Sequence, residues 1–249
     1  MIGEVKSLYD VGLKRDINQD SIYFNHDDEY GLFVVADGMG GYEDGEIASK
    51  SIVSGMELWW LLLLQEKEKY EIEDVVELCI KKLQELNHNI YLDFKLKGSF
   101  GGSTVVVLAV WKDKYAVFHV GDSRAYRIRS GLVELLTTDD TWDNLESTKA
   151  EFSEEEIKNS PNRGKLTASM GAYETTVVHS ITDVIQPEDV FFLCSDGVYK
   201  YCDESIIRKT LARKRIFKKG LNVKLDEMEK VIRSNGAEDN YSAILCAMK

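Results

Sequence analysis

The chain has 249 residues, of which 44% are hydrophobic, and its 43 Asp and Glu against 31 Lys and Arg give a formal net charge of -12. This is enough apolar material for a substantial core, and an acidic surface repels the phosphates of nucleic acid and anionic lipid, so neither is expected as the main partner. The two prolines and the absence of a low-complexity linker or internal repeat favour one domain over residues 1–249.

Signals for export, membrane insertion and disulfide bonding are weak in this sequence. The first residues lack the basic and apolar regions of a secretion signal, and the longest apolar stretch, residues 58–64, is much shorter than the roughly 20 residues that span a bilayer. The four cysteines are scattered, which favours buried thiols over a zinc site or a disulfide framework. We therefore expect a cytoplasmic monomer that does not bind membranes.

The first third of the chain predicts strands followed by two helices. Alternating and apolar patterns predict strands at about 4–12, 21–24 and 33–36, with a polar loop at 14–20. Helical periodicity predicts helices from 45 to about 67 and from about 72 to 92. The large apolar side chains of the first helix, including Trp59 and Trp60, are expected to pack against a sheet.

After Gly98 the pattern changes to strands. Four apolar segments joined by short polar links predict the meander of an antiparallel sheet, at 103–111, 114–120, 124–128 and 132–136. Residues 137–163 are acidic and predict a surface segment with one short helix at 153–159, where Ser153 and Glu156 can form a capping box. A loop of this length in a compact domain is often functional.

The last third returns to strands and helices. Strands are predicted at 176–180, 190–194 and 241–248, and helices at about 203–215 and 224–234. Basic residues are concentrated at 208–219, which is typical of a solvated helix face. Docking of an acidic partner is the alternative reading of these basic residues.

Three acids lie at the ends of three predicted core strands. Asp37 and Gly38 follow the strand at 33–36, Asp196 follows the strand at 190–194, and Asp239 precedes the last strand. An isolated Asp-Gly pair usually indicates only a turn, but strand ends would carry all three acids to one sheet edge. If the acids meet, their repulsion requires cations, and oxygen ligands without His or Cys select Mg²⁺ or Mn²⁺.

Eight segments, in this order, resemble the motifs of the metal-dependent Ser/Thr protein phosphatases, the PPM or type 2C family, across essentially the whole chain. They are RDINQD (15–20), VADGMGGYEDGEIAS (35–49), GGST (101–104), HVGDSRAY (119–126), LTTDD (136–140), LTASMG (166–171), CSDG (194–197) and EDN (238–240). The Met-Gly-Gly form of the second motif is similar to bacterial members. The resemblance implies an α+β fold, a four-layer α-β-β-α sandwich of two antiparallel sheets flanked by helices, with a flap-like segment at about 137–165.

The resemblance also implies a two-metal site at one end of the sandwich. Asp37 would bridge two Mn²⁺ or Mg²⁺ ions, the carbonyl of Gly38 would bind one of them, and Asp196 with Asp239 would bind the other. A water shared by the two ions would attack phosphorus directly, so that no phosphoenzyme is needed.

Further roles follow from the same resemblance. Arg15 matches the phosphate-binding arginine, whose planar guanidinium suits two phosphate oxygens, although an ordinary surface ion pair is the alternative. Asp20 matches an acid that holds metal-bound waters. Asp122 and Arg124 are expected to form a buried pair or a turn.

The chain also departs from the family pattern. Gln19 replaces a Glu found in many relatives, so that we expect a weaker second metal, and Met39 stands where eukaryotic members have a His proposed to protonate the leaving group. Some members bind a third ion through an acid near the Gly-Ser-Thr motif. The nearest preceding acid here is Asp93, which leaves a third ion doubtful.

The sequence therefore predicts a Mn²⁺- or Mg²⁺-dependent phosphatase acting on phosphoserine and phosphothreonine in proteins. Its expected substrates are those of bacterial Ser/Thr kinases. Two alternatives remain open at this stage. One is a catalytically weak regulatory or binding module with the same fold, which Gln19 supports. The other is a metal-dependent hydrolase of small phosphate esters.

Overall fold

The structure, a computed structural model, describes residues 1–40, 44–212 and 216–249. Within these ranges the strands are, in chain order, β1 (Ile2–Asp10), β2 (Asp20–His26), β3 (Tyr30–Gly40), β4 (Gly101–Ser103), β5 (Val105–Trp111), β6 (Lys114–Val120), β7 (Arg124–Arg129), β8 (Leu132–Leu135), β9 (His179–Val184), β10 (Val190–Cys194) and β11 (Tyr241–Met248). The helices are α1 (Asp44–Leu64), α2 (Ile72–Lys97), α3 (Glu146–Glu151), α4 (Glu154–Asn159), α5 (Asp196–Tyr199), α6 (Glu204–Leu211) and α7 (Ile216–Ser234).

The strands form two antiparallel sheets. The first sheet has the order β2-β3-β5-β6-β9, with β4 paired to the end of β3, and the second has the order β1-β11-β10-β7-β8. Helices α1 and α2 pack on the outer face of the first sheet, and α5, α6 and α7 pack on the outer face of the second. This arrangement is the predicted four-layer α+β sandwich.

Strand β3 is buried on both faces, which explains its uninterrupted apolar sequence. Leu32 and Val34 pack outward against the helices, whereas Phe33 and Val35 pack inward against the second sheet. The inner face of β3 thus joins the layer that the two sheets share. The polar ends of the strands then project at the edge of that layer.

Helix α1 packs one face on the first sheet. Ile52, Met56 and Trp60 are fully buried, and Trp60 meets Trp111 edge to face at 5.8 Å, as the sequence predicts. Among the described residues, α1 is the one helix long and apolar enough to cross a membrane, with a mean hydropathy of 1.3. Length and composition are weak evidence for such a span, because the core helix of a globular protein passes the same test.

The first sheet differs from the prediction at the end of β3. The strand does not stop at Asp37 but continues to Gly40, because Gly38 pairs with Ser103 and Gly40 with Gly101 in β4. The predicted strand at 103–111 is correspondingly interrupted at Thr104. Gly101 also lets the start of α1 pack closely on β4, since a Cβ on Gly101 would lie 2.7 Å from the Cβ of Asp44.

The predicted meander of a single sheet is wrong. Strands β5 and β6 pair in the first sheet, but β7 and β8 pair in the second, so the chain crosses between sheets after Val120. Gly121 turns the chain at this point with φ +96°, and its N–H donates to the Asp140 carboxylate at 2.8 Å. Strands of both sheets share the same apolar pattern, and the pattern therefore does not reveal the crossing.

Other boundaries also moved. The strand predicted at 176–180 is β9, which begins at His179, and the surface segment contains α3 in addition to the predicted α4 with its capping box. The helix predicted at 203–215 ends at Leu211, and residues 213–215, which carry part of the basic face, lie outside the described residues. The helix predicted from 224 begins at Ile216 and is interrupted at Gly220, where φ is 75°.

A buried ion pair stabilises the second sheet. Asp189 has no exposed surface, and its two carboxylate oxygens accept hydrogen bonds from the Arg129 guanidinium at 2.8 and 2.7 Å. Asp183 also forms an ion pair with an arginine, but at the surface: its side chain is 44% exposed and lies 2.6 Å from the Arg127 guanidinium. The two aspartates thus form a natural comparison between a buried and an exposed ion pair.

Replacing Asp189 is expected to destabilise the fold far more than replacing Asp183. Asp189→Asn removes the charge of the buried acceptor of two Arg129 hydrogen bonds and should lower the free energy of unfolding by about 1.5–3 kcal/mol, although the 20% exposed Arg129 keeps a longer contact of 3.7 Å to Asp183. Asp183→Asn should cost less than about 1 kcal/mol, because the Asp183 carboxylate is 44% exposed and Arg127 keeps its ion pair with Glu134 at 2.6 Å. Urea unfolding of both variants measures the difference, and equal losses would contradict the structural role assigned to Asp189.

Candidate active site

Most of the residues expected to form the site line one cavity of about 210 Å³. Asp37 lies on β3, Asp196 begins α5 directly after β10, Asp239 precedes β11, and Arg15 lies in the loop after β1. The other lining residues are Gln19, Gly38, Met39, Gly40, Thr104, Asp122 and Leu166. Residues 41–43 of the second motif lie outside the described residues.

The backbone of Asp37 is held by the segment between β4 and β5. Its N–H donates to the Thr104 hydroxyl at 3.2 Å, and its carbonyl accepts from the Thr104 N–H at 2.9 Å and the Ser103 hydroxyl at 3.0 Å. The Thr104 hydroxyl also bonds to the Ser123 hydroxyl at 2.7 Å. The Gly-Gly-Ser-Thr motif therefore fixes the position of Asp37 through hydrogen bonds to its main chain.

Gly38 occupies a position that excludes any side chain. A Cβ there would lie 2.2 Å from the Gly45 carbonyl oxygen and 2.5 Å from that of Gln19. The start of α1 and the loop before β2 both pack directly on the backbone of β3 for this reason. The tight packing places Gly38 and Gln19 in the cavity lining beside Asp37.

Asp196 is positioned by the contact between β10 and β11. The Ser195 N–H donates to the Ser242 carbonyl at 2.9 Å, and a Cβ on Gly197 would lie 1.8 Å from the Asn240 carbonyl oxygen. Only glycine permits this approach. The start of α5 thereby lies against the start of β11, and Asp196 shares the cavity with Asp239.

Arg15 forms a two-pronged contact with Asp239. Nε donates to Oδ1 at 2.9 Å and Nη2 to Oδ2 at 3.2 Å, with the two side chains 53% and 33% exposed. The contact is the surface ion pair that the sequence left open as an alternative. It lies at the rim of the cavity, which leaves open the predicted role in phosphate binding.

Asn240 holds the loop that carries Arg15, a role that the sequence did not reveal. Its side-chain amide donates to the carbonyls of Val11 at 2.8 Å and Ile17 at 3.0 Å, and its carbonyl oxygen accepts from the Gln19 N–H at 2.8 Å. These three bonds tie both ends of the loop to the start of β11. The motif Glu-Asp-Asn thus supplies one cavity carboxylate and one anchor.

Asp20 is buried behind the cavity and does not line it. It lies directly opposite Asp37 in the register of β2 and β3. Its Oδ2 accepts a hydrogen bond from the Ser195 hydroxyl at 2.8 Å, whereas Oδ1 is buried without a hydrogen-bond partner among the described residues. Burial raises the pKa of Asp20 to about 7, and the charges of Asp196 and Asp239 add to this effect.

Negative charge accumulates strongly in the cavity. Burial raises the pKa of Asp37 well above its ordinary value, and the neighbouring charges of Asp196, Asp20 and Asp122 raise it further. Burial and the charge of Asp196 likewise raise the pKa of Asp122 to about 6. A cation would relieve this repulsion by stabilising the ionised carboxylates.

Of the two expectations for Asp122 and Arg124, the buried pair is wrong, whereas the chain does bend at residues 121–122 before β7. Arg124 instead forms a bidentate pair with Asp139, at 2.7 and 3.0 Å, and its guanidinium stacks over the Tyr199 ring at 3.7 Å. The Tyr199 hydroxyl donates to Asp122 at 2.9 Å. Tyr199 therefore lies between Arg124 and Asp122 and contacts both. Tyr199 and Asp122 are 77 positions apart, so no local sequence pattern indicates their hydrogen bond.

Lys200 is a second residue that the sequence did not single out. Its ammonium forms an ion pair with the Asp196 carboxylate four positions earlier, on the same side of α5. The signal was available in principle, since residues at this spacing meet once a helix forms. The four-residue helix α5 was not predicted, however, so the pair was missed.

The donor set fits a hard divalent cation. The carboxylates of Asp37, Asp196 and Asp239 and the carbonyl of Gly38 are all oxygen donors, and three of these side chains line one cavity. In the described ranges, no three His, Cys, Asp or Glu side chains are arranged closely enough to form a ready ion site. Asp196 and Asp239 are held by Lys200 and Arg15 instead.

Comparison with known proteins identifies the family. A sequence model of the family described as protein phosphatase 2C matches residues 14–244, which is most of the chain. The chain belongs to the protein phosphatase 2C family. The eight motifs and the two-sheet architecture are thus those of this phosphatase family.

Named relatives of this phosphatase chain are bacterial. It is 29% identical to a serine/threonine phosphatase of Listeria welshimeri, over 95% of this chain and 92% of the relative, and 28% identical to the protein phosphatase PhpP of Streptococcus pneumoniae, over 98% and 97%. The solved structure of the S. agalactiae serine/threonine phosphatase superposes with a TM-score of 0.86 at 26% identity and covers 99% of both chains. The phosphatase is therefore of the bacterial type.

A side chain at position 38 is expected to disrupt the phosphatase fold around the cavity. Gly38→Ala places a methyl group against two backbone carbonyls and should lower the free energy of unfolding by more than about 2 kcal/mol. Gly55→Ala on α1 is the comparison variant, since its Cβ meets no backbone atom and instead meets the buried Leu86 side chain, with Cδ2 at 2.3 Å and Cγ at 3.2 Å.

The comparison variant should be destabilised less than Gly38→Ala, because a leucine side chain can adjust where two backbone carbonyls cannot, and because alanine favours the helix. Thermal and urea unfolding of both variants distinguish the two sites. Similar small effects for the two substitutions would show that the close packing at Gly38 is not required.

Proposed function

We propose that the chain is a metal-dependent phosphatase that removes phosphate from phosphoserine and phosphothreonine in proteins. The observation that carries this proposal is the single cavity shared by Asp37, Asp196, Asp239 and Arg15. Membership of the protein phosphatase 2C family and the relatives named serine/threonine phosphatases support the substrate class. An acidic protein of this kind needs local positive charge to bind a phosphate group, and cations and Arg15 supply it.

The carboxylates would hold two Mn²⁺ or Mg²⁺ ions. Asp37 would contact both ions, the Gly38 carbonyl would contact one, and Asp196 with Asp239 would contact the other. When bound, the two ions supply a nucleophilic water at neutral pH and offset the charge that develops on the phosphoryl oxygens. Partial burial of Asp37 and Asp196 weakens the screening by water and would thereby strengthen their hold on the ions.

Arg15 and Asp20 have complementary roles in this proposal. Arg15 is exposed at the cavity rim, and its planar guanidinium can bind two oxygens of a phosphate with the geometry that it now uses on Asp239. Asp20 lies behind the cavity, fixed at Oδ2 by Ser195, and its buried Oδ1 would accept from a water held between Asp20 and the ions.

The proposal extends to the rest of the chain. Residues 1–249 would form one phosphatase domain, with the segment 137–165 as a flap beside the cavity. The bridge between Thr141 and Leu166 supports this role, because it closes the base of the segment and Leu166 itself lines the cavity. We further propose a cytoplasmic monomer whose substrates are phosphorylated by Ser/Thr kinases.

A catalytically weak binding module remains the main alternative, and one observation favours it. Gln19 is a neutral side chain in the cavity wall, where a Glu would add a negative charge for a second ion. The retained acids at positions 37, 196 and 239 favour catalysis. The two functions make opposite predictions for metal-dependent turnover.

We expect Mn²⁺-dependent hydrolysis of p-nitrophenyl phosphate, with a higher kcat/KM on a phosphothreonine peptide than on this small ester. Asp37→Asn should lower kcat by at least about 100-fold, because the central metal ligand loses its charge. Asp183→Asn, which removes a surface carboxylate far from the cavity lining, is the matched control and should retain parental rates.

Three outcomes separate the candidate functions. Absence of Mn²⁺-dependent turnover in the folded parent would favour the binding module. A higher kcat/KM for small esters than for the peptide would favour the small-ester hydrolase. Full activity of a folded Asp37→Asn variant would contradict the metal site itself.

A further inference from the structure

Lys200 lies beside the carboxylates of the proposed metal site. It follows α5, four residues after Asp196, and its backbone N–H donates to the Asp196 carbonyl at 2.9 Å. This backbone bond continues the helical turn, so that both side chains project to the same side. The Lys200 ammonium contacts Oδ2 of Asp196, whose side chain is only 16% exposed.

The Lys200 ammonium is within the electrostatic field of several cavity acids. Burial lowers the pKa of Lys200, but the charges of Asp196, Asp122 and Asp37 outweigh this effect and the pKa is raised. The Lys200 ammonium, in an ion pair with a carboxylate, is positively charged at physiological pH, because the ordinary pKa of lysine is about 10.4. It neutralises part of the negative charge that would otherwise attract a cation.

The Lys200 ammonium and a divalent cation would bind the same group, the Asp196 carboxylate. Asp196 offers its carboxylate to either partner, and an ion bound there must displace the ammonium or tolerate a positive charge in contact with the same ligand. Two positive charges that share a carboxylate repel each other over a few ångströms, and the repulsion is doubled for a divalent ion. Lys200 thus opposes the binding of an ion at Asp196.

We propose that Lys200 is a built-in counter-ion of Asp196 that competes with a divalent cation for this carboxylate and so sets the Mn²⁺ concentration at which the site fills. The proposal rests on the proposed function, since it assumes that Asp196 is a metal ligand. It explains how one cavity can hold clustered carboxylates in a stable fold and still bind metal reversibly.

Calorimetric titration of the full chain with Mn²⁺ tests this role without measuring activity. Lys200→Met keeps the length of the side chain but removes its charge, and it should bind Mn²⁺ roughly tenfold more tightly than the parent. Lys200→Arg keeps the charge and should bind with parental affinity.

Lys69→Met is the matched control for net charge. Lys69 pairs with Glu66 at 2.5 Å in an exposed turn beyond the far end of α1, so this variant loses the same charge away from the cavity. Its Mn²⁺ affinity should change by less than about threefold, because salt screens charges separated by more than a Debye length. A second variant, Lys200→Met with Asp196→Asn, should lose the gain in affinity, since the ligand for which the ammonium competes is gone.

Two results overturn the role of Lys200 alone. One is a Lys200→Met affinity within about threefold of the parent, and the other is an equal gain in Lys69→Met, which would make the effect one of net charge. Failure of the proposed function is distinct from both results. In that case neither the parent nor Lys200→Met binds Mn²⁺ at millimolar concentration, because Asp196 is not a metal ligand.

Discussion

Asp20 and Asp37 face each other across neighbouring strands, and further acids surround the same cavity. Like charges in directly opposed positions destabilise a sheet, and burial increases the cost because the carboxylates lose their hydration. Burial is the largest cause of the raised pKa values of Asp20 and Asp37, and the charges of neighbouring acids raise them further. Such an arrangement persists only because the surrounding fold is rigid enough to impose it.

The rigidity comes from the close packing of backbone at one end of the sandwich. Gly38 and Gly197 permit contacts that any side chain would block. The start of α1 therefore packs against the segment of Asp37, and the residue before β11 packs against the segment of Asp196. Thr104 and Asn240 then fix the main chain through hydrogen bonds to Asp37 and to the Arg15 loop. The apolar layers behind the cavity supply the stability that the site itself lacks.

Two basic side chains of the protein offset part of the negative charge of the cavity acids. Arg15 pairs with Asp239 and Lys200 pairs with Asp196, so each of the two acids expected to share one ion has a basic partner. These contacts link stability to function, because the same carboxylates serve as structural partners and as proposed ligands. Exchange of these partners for divalent ions is the event on which the proposed catalysis depends.

The sequence predicted the features that depend on local patterns and missed those that depend on distant contacts. The apolar strands and their terminal acids were visible because β3 is buried on both faces, and the order of the motifs led to the family and the sandwich. The assignment of β7 to the second sheet was missed, because its apolar pattern suits either sheet.

Side-chain partners far apart in the chain were equally invisible. Nothing near Arg124 indicates that it pairs with Asp139, or that Tyr199 bonds to Asp122 across 77 positions. The Lys200 pair was local but depended on a helix too short to predict. The sequence therefore located the site residues but not the contacts that hold them.

The central claim is that clustered carboxylates at one end of the sandwich bind two divalent ions. Anomalous X-ray diffraction from a crystal of the full chain soaked in Mn²⁺ tests it most directly. The account predicts two anomalous peaks, both near Asp37, one of them also about 2.0–2.3 Å from oxygens of Asp196 and Asp239. Anomalous peaks elsewhere, or none at millimolar Mn²⁺ in a crystal with an accessible cavity, would contradict it.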